Sequence, residues 1–273
     1  MKSRKAGTAT QGDLFANCQR WRDRRASYRP AGEVFDTSRA RVEVICEADA
    51  KAFVTRHHYS GTYPAARCRV GLFVKRAFQP ERLAGVAVFS VPMTNAAIPA
   101  WFPDVPAEHG VELGRFVLLD EIEANAETWF QARALRTAAQ ELDGLQAVLS
   151  YCDPVARTDS TGRKVFPGHL GTIYRAGNAT ALGRSAPRTL RLLPNGRVAS
   201  ERALSKIRAE DRGAAYAIAQ LVAAGAPPRK PHESGDDYLM RVDSAGIFRR
   251  MRHGGNLVFG WRVKPRGRSI ANA

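Results

Sequence analysis

Cysteine and long apolar runs are both scarce in this chain of 273 residues. Its four cysteines follow no CxxC spacing, which argues against a cysteine zinc site and against a disulfide-stapled secreted fold. No eighteen-residue window is wholly apolar, and the first residues lack the apolar core of a signal peptide. We therefore expect a soluble, intracellular protein of a reducing compartment, without a membrane partner.

Acidic residues are too few to balance the basic ones. The chain has 42 Lys and Arg against 26 Asp and Glu, which gives a formal charge of +16. The excess is uneven: residues 108–160 hold ten acids and four bases, whereas 182–212 and 241–273 each hold eight Lys or Arg. This blockwise charge favours a polyanionic partner, with a merely soluble basic protein as the simpler alternative.

The order of strand-like and helix-like segments predicts an α/β fold with a mixed central sheet and helices on both faces. Residues 1–38 are basic and weakly periodic, and we interpret them as an arm. Residues 39–225 alternate between strands and helices and form the predicted main domain. Residues 226–273 are predicted to be a basic, helical extension that packs on this domain and ends in a strand.

Two adjacent histidines end one of the helical patterns. In the segment EADAKAFVTRHHY, residues 47–59, apolar positions recur at helical spacing, and His57 and His58 continue the same face. A core-facing histidine is commonly just a hydrogen-bonded structural residue. Two adjacent histidines followed by Tyr59 make a functional role, as a ligand or as a general acid or base, about as plausible as this structural role.

Two charged residues accompany apolar strands. Asp153 follows the buried strand LQAVLSYC and precedes a proline, at the strand end where α/β sheets open their clefts, although an Asp-Pro turn is the plainer interpretation. With His58, Asp153 suits a divalent metal such as iron or zinc, but the sequence has no HxxxH or HxD spacing. Arg115 lies inside the strand VELGRFVLL and needs an anion, with Glu112 or Asp153 as candidate partners. It is either a structural ion pair or a substrate contact.

The predicted order of elements resembles the GNAT superfamily of acetyltransferases. The spacing of Gly171, Tyr174 and Gly177 is similar to the tyrosine-containing segment of that superfamily, in which the tyrosine can protonate a leaving thiolate. GNAT enzymes usually hold pyrophosphate with a glycine-rich turn before a helix, but the corresponding segment EIEANAETWFQA has no glycine. The resemblance implies a GNAT-like fold and leaves the binding of acetyl-CoA open.

A series of motifs between about residue 41 and about residue 225 resembles the Mom family of phage DNA-modification proteins. The motifs are FVTRHHYSGTYPAA, VAVFSVP, ELGRFVLLDE, NAETWFQARAL, SYCDPV, FPGHLGTIYRAGNA, RTLRLLPNGR and RALSKIRA. The resemblance implies an enzyme that adds a carbamoylmethyl group to the exocyclic amine of adenine in DNA and so protects phage genomes from restriction. It places the protein in the cytoplasm of a bacterial host.

The resemblance also implies site residues and a cofactor. The family has been linked to iron and to a His-Tyr pair, an Asp and a Tyr, which fall on His58, Tyr59, Asp153 and Tyr174. His58 and Asp153 are then the metal ligands, and Arg115 completes the expected catalytic set. The group donor, acetyl-CoA or another molecule, stays open.

The partner implied by the resemblance is double-stranded DNA with the target adenine flipped out of the stack, because a stacked base cannot be reached. Five basic residues are expected to contact its phosphates, namely Arg184, Arg188, Arg191, Lys206 and Arg208. Whether the protein forms a homodimer stays open. Two other functions compete: a CoA-dependent acyltransferase that acts on protein or small molecules, and a basic DNA-binding protein without catalysis.

Overall fold

The computed structural model describes residues 18–22, 25–29, 34–123 and 125–264. The remaining residues of the predicted arm, 1–17, 23, 24 and 30–33, lie outside this range, as do 124 and 265–273. The chain forms two compact units, each discontinuous in sequence. The first contains residues 1–151, 171–183 and 258–273, and the second contains 152–170 and 184–257. The predicted boundaries at 38/39 and 225/226 stay predictions.

The first unit is built on a sheet of seven strands. Their order is β10-β13-β7-β6-β5-β4-β3. The strands are β3 (Ala40–Val44), β4 (Ala66–Val74), β5 (Arg82–Ser90), β6 (Gly110–Leu118), β7 (Ala147–Cys152), β10 (Thr180–Arg184) and β13 (Leu257–Arg262). The pairs from β3 to β6 are antiparallel, whereas β6 and β7 are parallel. The predicted α/β fold with a mixed sheet is therefore confirmed.

Apolar helix faces cover this sheet. The helices of the unit are α1 (Glu47–His57), α2 (Ala97–Trp101), α3 (Ala126–Glu141) and α4 (Thr172–Ala176). In α1 the residues Ala50, Phe53 and Val54 are buried, as their spacing predicts. Helix α1 packs on β4, β5 and β6, and α3 packs on β3, β4 and β5. A short hairpin, β1 (Cys18–Arg22) with β2 (Arg25–Arg29), precedes them in the chain.

The second unit combines three helices with two short antiparallel ribbons. The helices are α5 (Glu201–Arg208), α6 (Ala214–Ala223) and α7 (Gly235–Ser244). They enclose a core that includes the fully buried Ile207, Tyr238 and Val242. The ribbons are β8 (Arg157–Thr158) with β9 (Lys164–Phe166) and β11 (Arg188–Leu192) with β12 (Arg249–His253). Within the part of the chain that the structure describes, no helix is both long and apolar enough to cross a membrane.

The predicted helix of the C-terminal segment is confirmed only as far as Ser244 and is wrong for residues 245–252, whereas the predicted final strand is confirmed. Helix α7 ends at Ser244, and the next elements are the strands β12 and β13. β13 lies inside the seven-stranded sheet, between β10 and β7, and its Phe259 is buried. A Cβ at Gly260 would approach Phe102 to 2.6 Å, so glycine allows the close packing of this interior strand. The apolar run LVFGW is thus part of the main sheet and not an addition to it.

Candidate active site

The tandem histidines lie at the C-terminal end of α1. His57 is the last helical residue, and His58 is the C-cap, with an extended backbone whose N–H donates to the carbonyl of Val54. Both side chains are half-buried. The chain then reverses through Gly61 at φ +58, a left-handed conformation that suits glycine. Because the helix ends at His57, His58 lies in the following loop, where its side chain is accessible to a substrate.

Contacts with the neighbouring residues orient the ring of His58. Its Nδ1 lies 2.8 Å from Oγ of Ser60 and 3.2 Å from the backbone nitrogen of Ser60. Because the backbone N–H of Ser60 donates to Nδ1, this nitrogen is an acceptor, and neutral His58 carries its proton on Nε2. The ring of Tyr59 packs at 4.3 Å between centroids, and Tyr59 is 49% exposed. This pair is held in place yet remains open to a substrate.

Arg115 of β6 ties this turn to the sheet. Its Nε donates to the carbonyl of Thr62 at 2.9 Å, and its Nη2 donates to the hydroxyl of Thr62 at 2.8 Å. No carboxylate of the described residues lies within ion-pair distance of Arg115, so no direct ion pair neutralises its charge there. Burial lowers the pKa of Arg115, while Tyr59, Glu112 and Tyr174 act in the opposite direction. Tyr59 and Tyr174, two of the expected catalytic residues, therefore each act electrostatically on Arg115.

Tyr174 is fixed by aromatic packing. It is buried on the short helix α4, with its ring edge-on to Phe259 at 5.7 Å and to Trp261 at 5.5 Å, both on β13. The helix starts after Gly171, which has φ +73 and whose Cβ would lie 2.2 Å from Phe259. The plainer interpretation, a helix residue that packs on the sheet, therefore holds for its ring.

The parallel strands β6 and β7 pair over only three residue pairs, from Gly110 with Ala147 to Glu112 with Leu149. β6 continues for six further residues, to Leu118. Glu112 is the last residue of β6 in this pairing, and burial raises the pKa of its carboxyl group. Burial and the charge of Glu112 together raise the pKa of Tyr151 on β7. Both groups are thus shifted toward their neutral, protonated forms, which are the forms that can donate a proton.

A pocket of about 390 Å³ lies beside the start of α3 in the same unit. Its walls include Phe35, Thr37, Asn125, Trp129, Gly177 and Asn178. Its described lining contains no Lys or Arg. Proteins usually meet the charges of a diphosphate with basic side chains or with glycine-rich helix starts. The lining therefore favours an uncharged small group over the diphosphate of a CoA molecule.

Asp153 belongs to the second unit and has three hydrogen-bond donors there. Its Oδ1 accepts from the backbone of Val155 at 3.0 Å and from Nε2 of His253 at 2.9 Å, and its Oδ2 accepts from Arg157. Burial raises the pKa of Asp153, but the bonds from His253 and Val155 and the charge of Arg157 outweigh it and hold the pKa below its ordinary value. Asp153 is therefore a fixed anion.

His253 and Arg157 are functional candidates that the sequence analysis did not identify. His253 is fully buried, and its Nδ1 accepts the backbone N–H of Gly255 at 3.1 Å. Since Nδ1 is an acceptor, neutral His253 has its proton on Nε2 and donates it to Asp153. The signal that could reveal this pair is weak, because the two residues are 100 positions apart.

The five basic residues expected on DNA all belong to the second unit. Arg184 and Arg188 are exposed. Arg191 pairs with Glu201 at 2.6 Å, and Arg208 lies 3.8 Å from Asp236. Their contact with DNA stays a prediction.

The two expected iron ligands, His58 and Asp153, belong to different units. Among the residues it covers, no three His, Cys, Asp or Glu side chains are grouped so as to hold a metal ion. The oxygens of Asp153 accept from Arg157 and His253, and Nδ1 of His58 contacts Ser60. Iron sites usually need about three such ligands. Iron therefore stays an untested expectation, and the roles of the protein's own side chains are derived without it.

The first unit is an α/β structure whose mixed sheet has a parallel pair between β6 and β7 and positions His58, Tyr59 and Arg115 around the turn after α1. Comparison with known protein families then identifies the family of the chain. The chain belongs to the Mom protein family, whose model matches residues 39–234. No curated protein sequence matches the chain. The predicted family is thereby confirmed, and membership implies a DNA-modifying enzyme and suggests phage DNA adenine modification.

Proposed function

We propose that this protein transfers a carbamoylmethyl group to the exocyclic amine of adenine in DNA and so protects phage DNA from host restriction. Family membership over residues 39–234 carries the proposal. The cluster of Tyr59, Arg115 and Tyr174 supports it, because it combines groups that can move a proton with one that can hold a negative charge.

The transfer requires one bond to form and one to break. The amine nitrogen of adenine bonds to the methylene carbon of the donor, the bond from that carbon to the leaving group breaks, and a proton leaves the amine. This amine is conjugated into the ring and is a weak nucleophile, so a proton acceptor and a stabilised leaving group are both needed. Flipping the base out of the duplex would bring the amine within reach.

His58 suits the acceptor because Ser60 orients its ring and a neutral imidazole has one basic nitrogen, here Nδ1. Arg115, which has no ion-pair partner among the described residues, would stabilise negative charge on the donor, and Tyr174 would protonate the leaving group. The lowered pKa of Asp153 makes it a poor base for the amine proton, and its expected catalytic role stays a prediction.

Nucleoside mass spectrometry of DNA from expressing cells tests the proposal. The wild type should yield a heavier deoxyadenosine that is missing with an empty vector. We expect His58→Gln and Tyr174→Phe each to reduce it by about 100-fold, as the loss of an acid or base typically does. Cys46→Ser, a change at an exposed residue, is the matched control. Unmodified DNA in cells with abundant folded wild type would refute the proposal.

A CoA-dependent acyltransferase with a GNAT-like fold is the second candidate. The short pairing of β6 with β7 and the packed Tyr174 favour it, because an open strand edge offers backbone groups to an extended donor. The pocket lining without basic residues speaks against it. A thermal shift with acetyl-CoA separates the two candidates: a rise in Tm of several degrees would support the acyltransferase.

A further inference from the structure

The ribbon of β11 and β12 brings together two basic segments that are far apart in the sequence. Arg188 lies opposite His253, Arg191 opposite Arg250, and the pairing ends at Leu192 and Arg249. β12 lies beyond residue 234, where the family match ends. This two-stranded ribbon is therefore completed by a segment of the chain outside the matched region.

The two faces of the ribbon differ in character. Leu190, Leu192 and His253 share one face and are buried. Side chains alternate along a strand, so the intervening positions point to the opposite face. That face, called here the arginine face, consists of Thr189, Arg191, Arg250 and Arg252. Thr189, Arg250 and Arg252 are exposed and Arg191 is half-buried, so the arginine face is open to a partner.

The arginine face has more positive charge than its surroundings neutralise. Arg191 stands directly opposite Arg250, and like charges in that position destabilise a strand pair. Glu201 pairs with Arg191 and Asp243 pairs with Arg250. Arg252 has no carboxylate partner among residues 34–123 and 125–264. An external anion would therefore relieve repulsion that the described residues leave in place.

Duplex DNA fits this surface better than other polyanions do. The major groove of B-DNA, about 12 Å wide, admits a two-stranded β-ribbon, whereas the deep, narrow major groove of duplex RNA does not. Arginine side chains can pair with phosphate oxygens and with the guanine edge in that groove. The exocyclic amine of adenine also lies at the major-groove edge.

We propose that the arginine face of the β11–β12 ribbon binds the major groove and the adjoining phosphates of duplex DNA. The proposal rests on the proposed function, for which it identifies the surface that holds the substrate. It adds Arg250 and Arg252 to the residues that the sequence analysis expected on DNA, and it places Lys206 and Arg208, which lie on α5, outside the ribbon.

Binding titrations of duplex DNA at several salt concentrations test the proposal. The triple variant Arg191→Gln, Arg250→Gln and Arg252→Gln should bind at least about tenfold more weakly, and the slope of log K against log salt should fall by about 2 to 3. A control with the same change of charge is Lys51→Gln, Lys75→Gln and Arg136→Gln, three exposed residues of the first unit. It should bind nearly as the wild type does.

Two further arms make the result specific. The triple Arg→Lys variant should keep the salt slope, which shows that charge at these positions and not a folding defect is responsible. The wild type should bind duplex RNA of the same sequence more weakly than duplex DNA. In the triple Gln variant the difference between the affinities for DNA and RNA should be smaller. Equal losses in both triple Gln variants, or equal binding of DNA and RNA, would overturn the proposal.

The nucleoside measurement separates this proposal from the proposed function. If the wild type modifies DNA but the triple Gln variant binds DNA with unchanged affinity and slope, the ribbon proposal alone fails. If the wild type leaves DNA unmodified but binds it through the arginine face, the proposed chemistry fails and the ribbon proposal stands.

Discussion

Two carboxyl groups, Glu112 in the first compact unit and Asp153 in the second, have pKa values shifted in opposite directions. In the first unit, burial lowers the pKa of Arg115 and raises the pKa of Glu112, so each is shifted toward its neutral form. In the second unit, Asp153 has three donors and its pKa is lowered, so it is shifted toward its charged form. The direction of the pKa shift thus separates Glu112, which is shifted toward a protonated form that can donate, from Asp153, which is shifted toward its anion.

The two units also differ in the kind of side chains around their candidate functional residues. The polar cluster of the first unit contains aromatic rings, with Tyr174 locked between Phe259 and Trp261. The second unit has the exposed arginine face, whose cations extend into solvent. Packing fixes a reacting group in position, whereas exposed cations suit a large, strongly hydrated partner. Variants should therefore affect catalysis in one unit and DNA affinity in the other.

The largest expected effect comes from breaking the packing of the first unit. In Gly171→Ala the new Cβ would lie 2.2 Å from Phe259 at φ +73, so we expect about 3 kcal/mol less stability from overpacking and backbone strain together. Tyr174 packs on the same Phe259, so DNA modification should fall as well.

Chemical unfolding checks this value. Gly162→Ala is the matched control, since Gly162 has φ +82 but no atom lies within 4 Å of the point that a Cβ would occupy, and the change should cost only about 1 kcal/mol. Equal losses for the two variants would mean that contact with Phe259 is not the reason for glycine at position 171.

The next effect concerns Arg115. Arg115→Lys keeps the charge but loses the fork that binds both oxygens of Thr62, so the turn after α1 should shift. We expect up to about 100-fold less DNA modification, since misplacement of a reacting group by about 1 Å can have that effect. DNA affinity should stay within about twofold of the wild type. Parallel kinetic and binding assays measure both quantities.

Arg82→Lys, a change of a half-buried arginine in the neighbouring strand β5, is the control for this variant. A loss of DNA affinity in Arg115→Lys with a normal rate of modification would place Arg115 on DNA phosphate. The division between a catalytic unit and a binding unit would then be wrong at this residue.

A smaller effect is expected at His253. His253→Ala removes the donor to Oδ1 of Asp153, and the free energy of unfolding should fall by about 1 to 3 kcal/mol, the usual cost of an unpaired buried polar group. The pKa of Asp153 should rise toward its ordinary value. Urea unfolding and an NMR titration of the carboxyl group measure the two quantities.

His253→Gln offers a replacement donor and should recover part of both losses. If His253→Ala leaves the pKa of Asp153 unchanged while stability falls, then His253 acts only by filling space. A positioning role requires that the two measurements change together.

The smallest effect is a difference in pH dependence between two carboxyl groups. The pKa of Asp153 is lowered from 3.8, so its contribution to stability is present above that value and is lost as the pH falls through the folded pKa. The pKa of Glu112 is raised from 4.5, so its contribution is present below that value and is lost as the pH rises through the folded pKa. Two carboxyl groups of one protein should therefore respond to pH with opposite signs.

Unfolding curves between about pH 3 and pH 8 test this sign, since that range spans the ordinary carboxyl pKa values. At neutral pH, Asp153→Asn should lower the stability and Glu112→Gln should raise it. Glu108→Gln, at an exposed position, should change it little. The same direction of change in Asp153→Asn and Glu112→Gln would remove the contrast between the two units.

Local features of the fold could be predicted from the sequence because they depend on neighbouring residues. The spacing of Ala50, Phe53 and Val54 predicts the buried face of α1, and the alternation of segments predicts the α/β class. The segment after Ser244 shows the limit. Its composition fits a helix, yet Arg249–His253 forms a strand because β11 is available as a partner.

The sequence by itself determined the family, the α/β class and the presence of Asp153 at the end of a buried strand. Only the tertiary structure decided that Asp153 pairs with His253, 100 residues away, that Arg115 binds Thr62, 53 residues away, and that β13 lies between β10 and β7. Periodicity reports the surroundings of each segment, such as buried or exposed. It does not report which distant segment provides them, because strand pairing and side-chain partners depend on how the whole chain returns on itself.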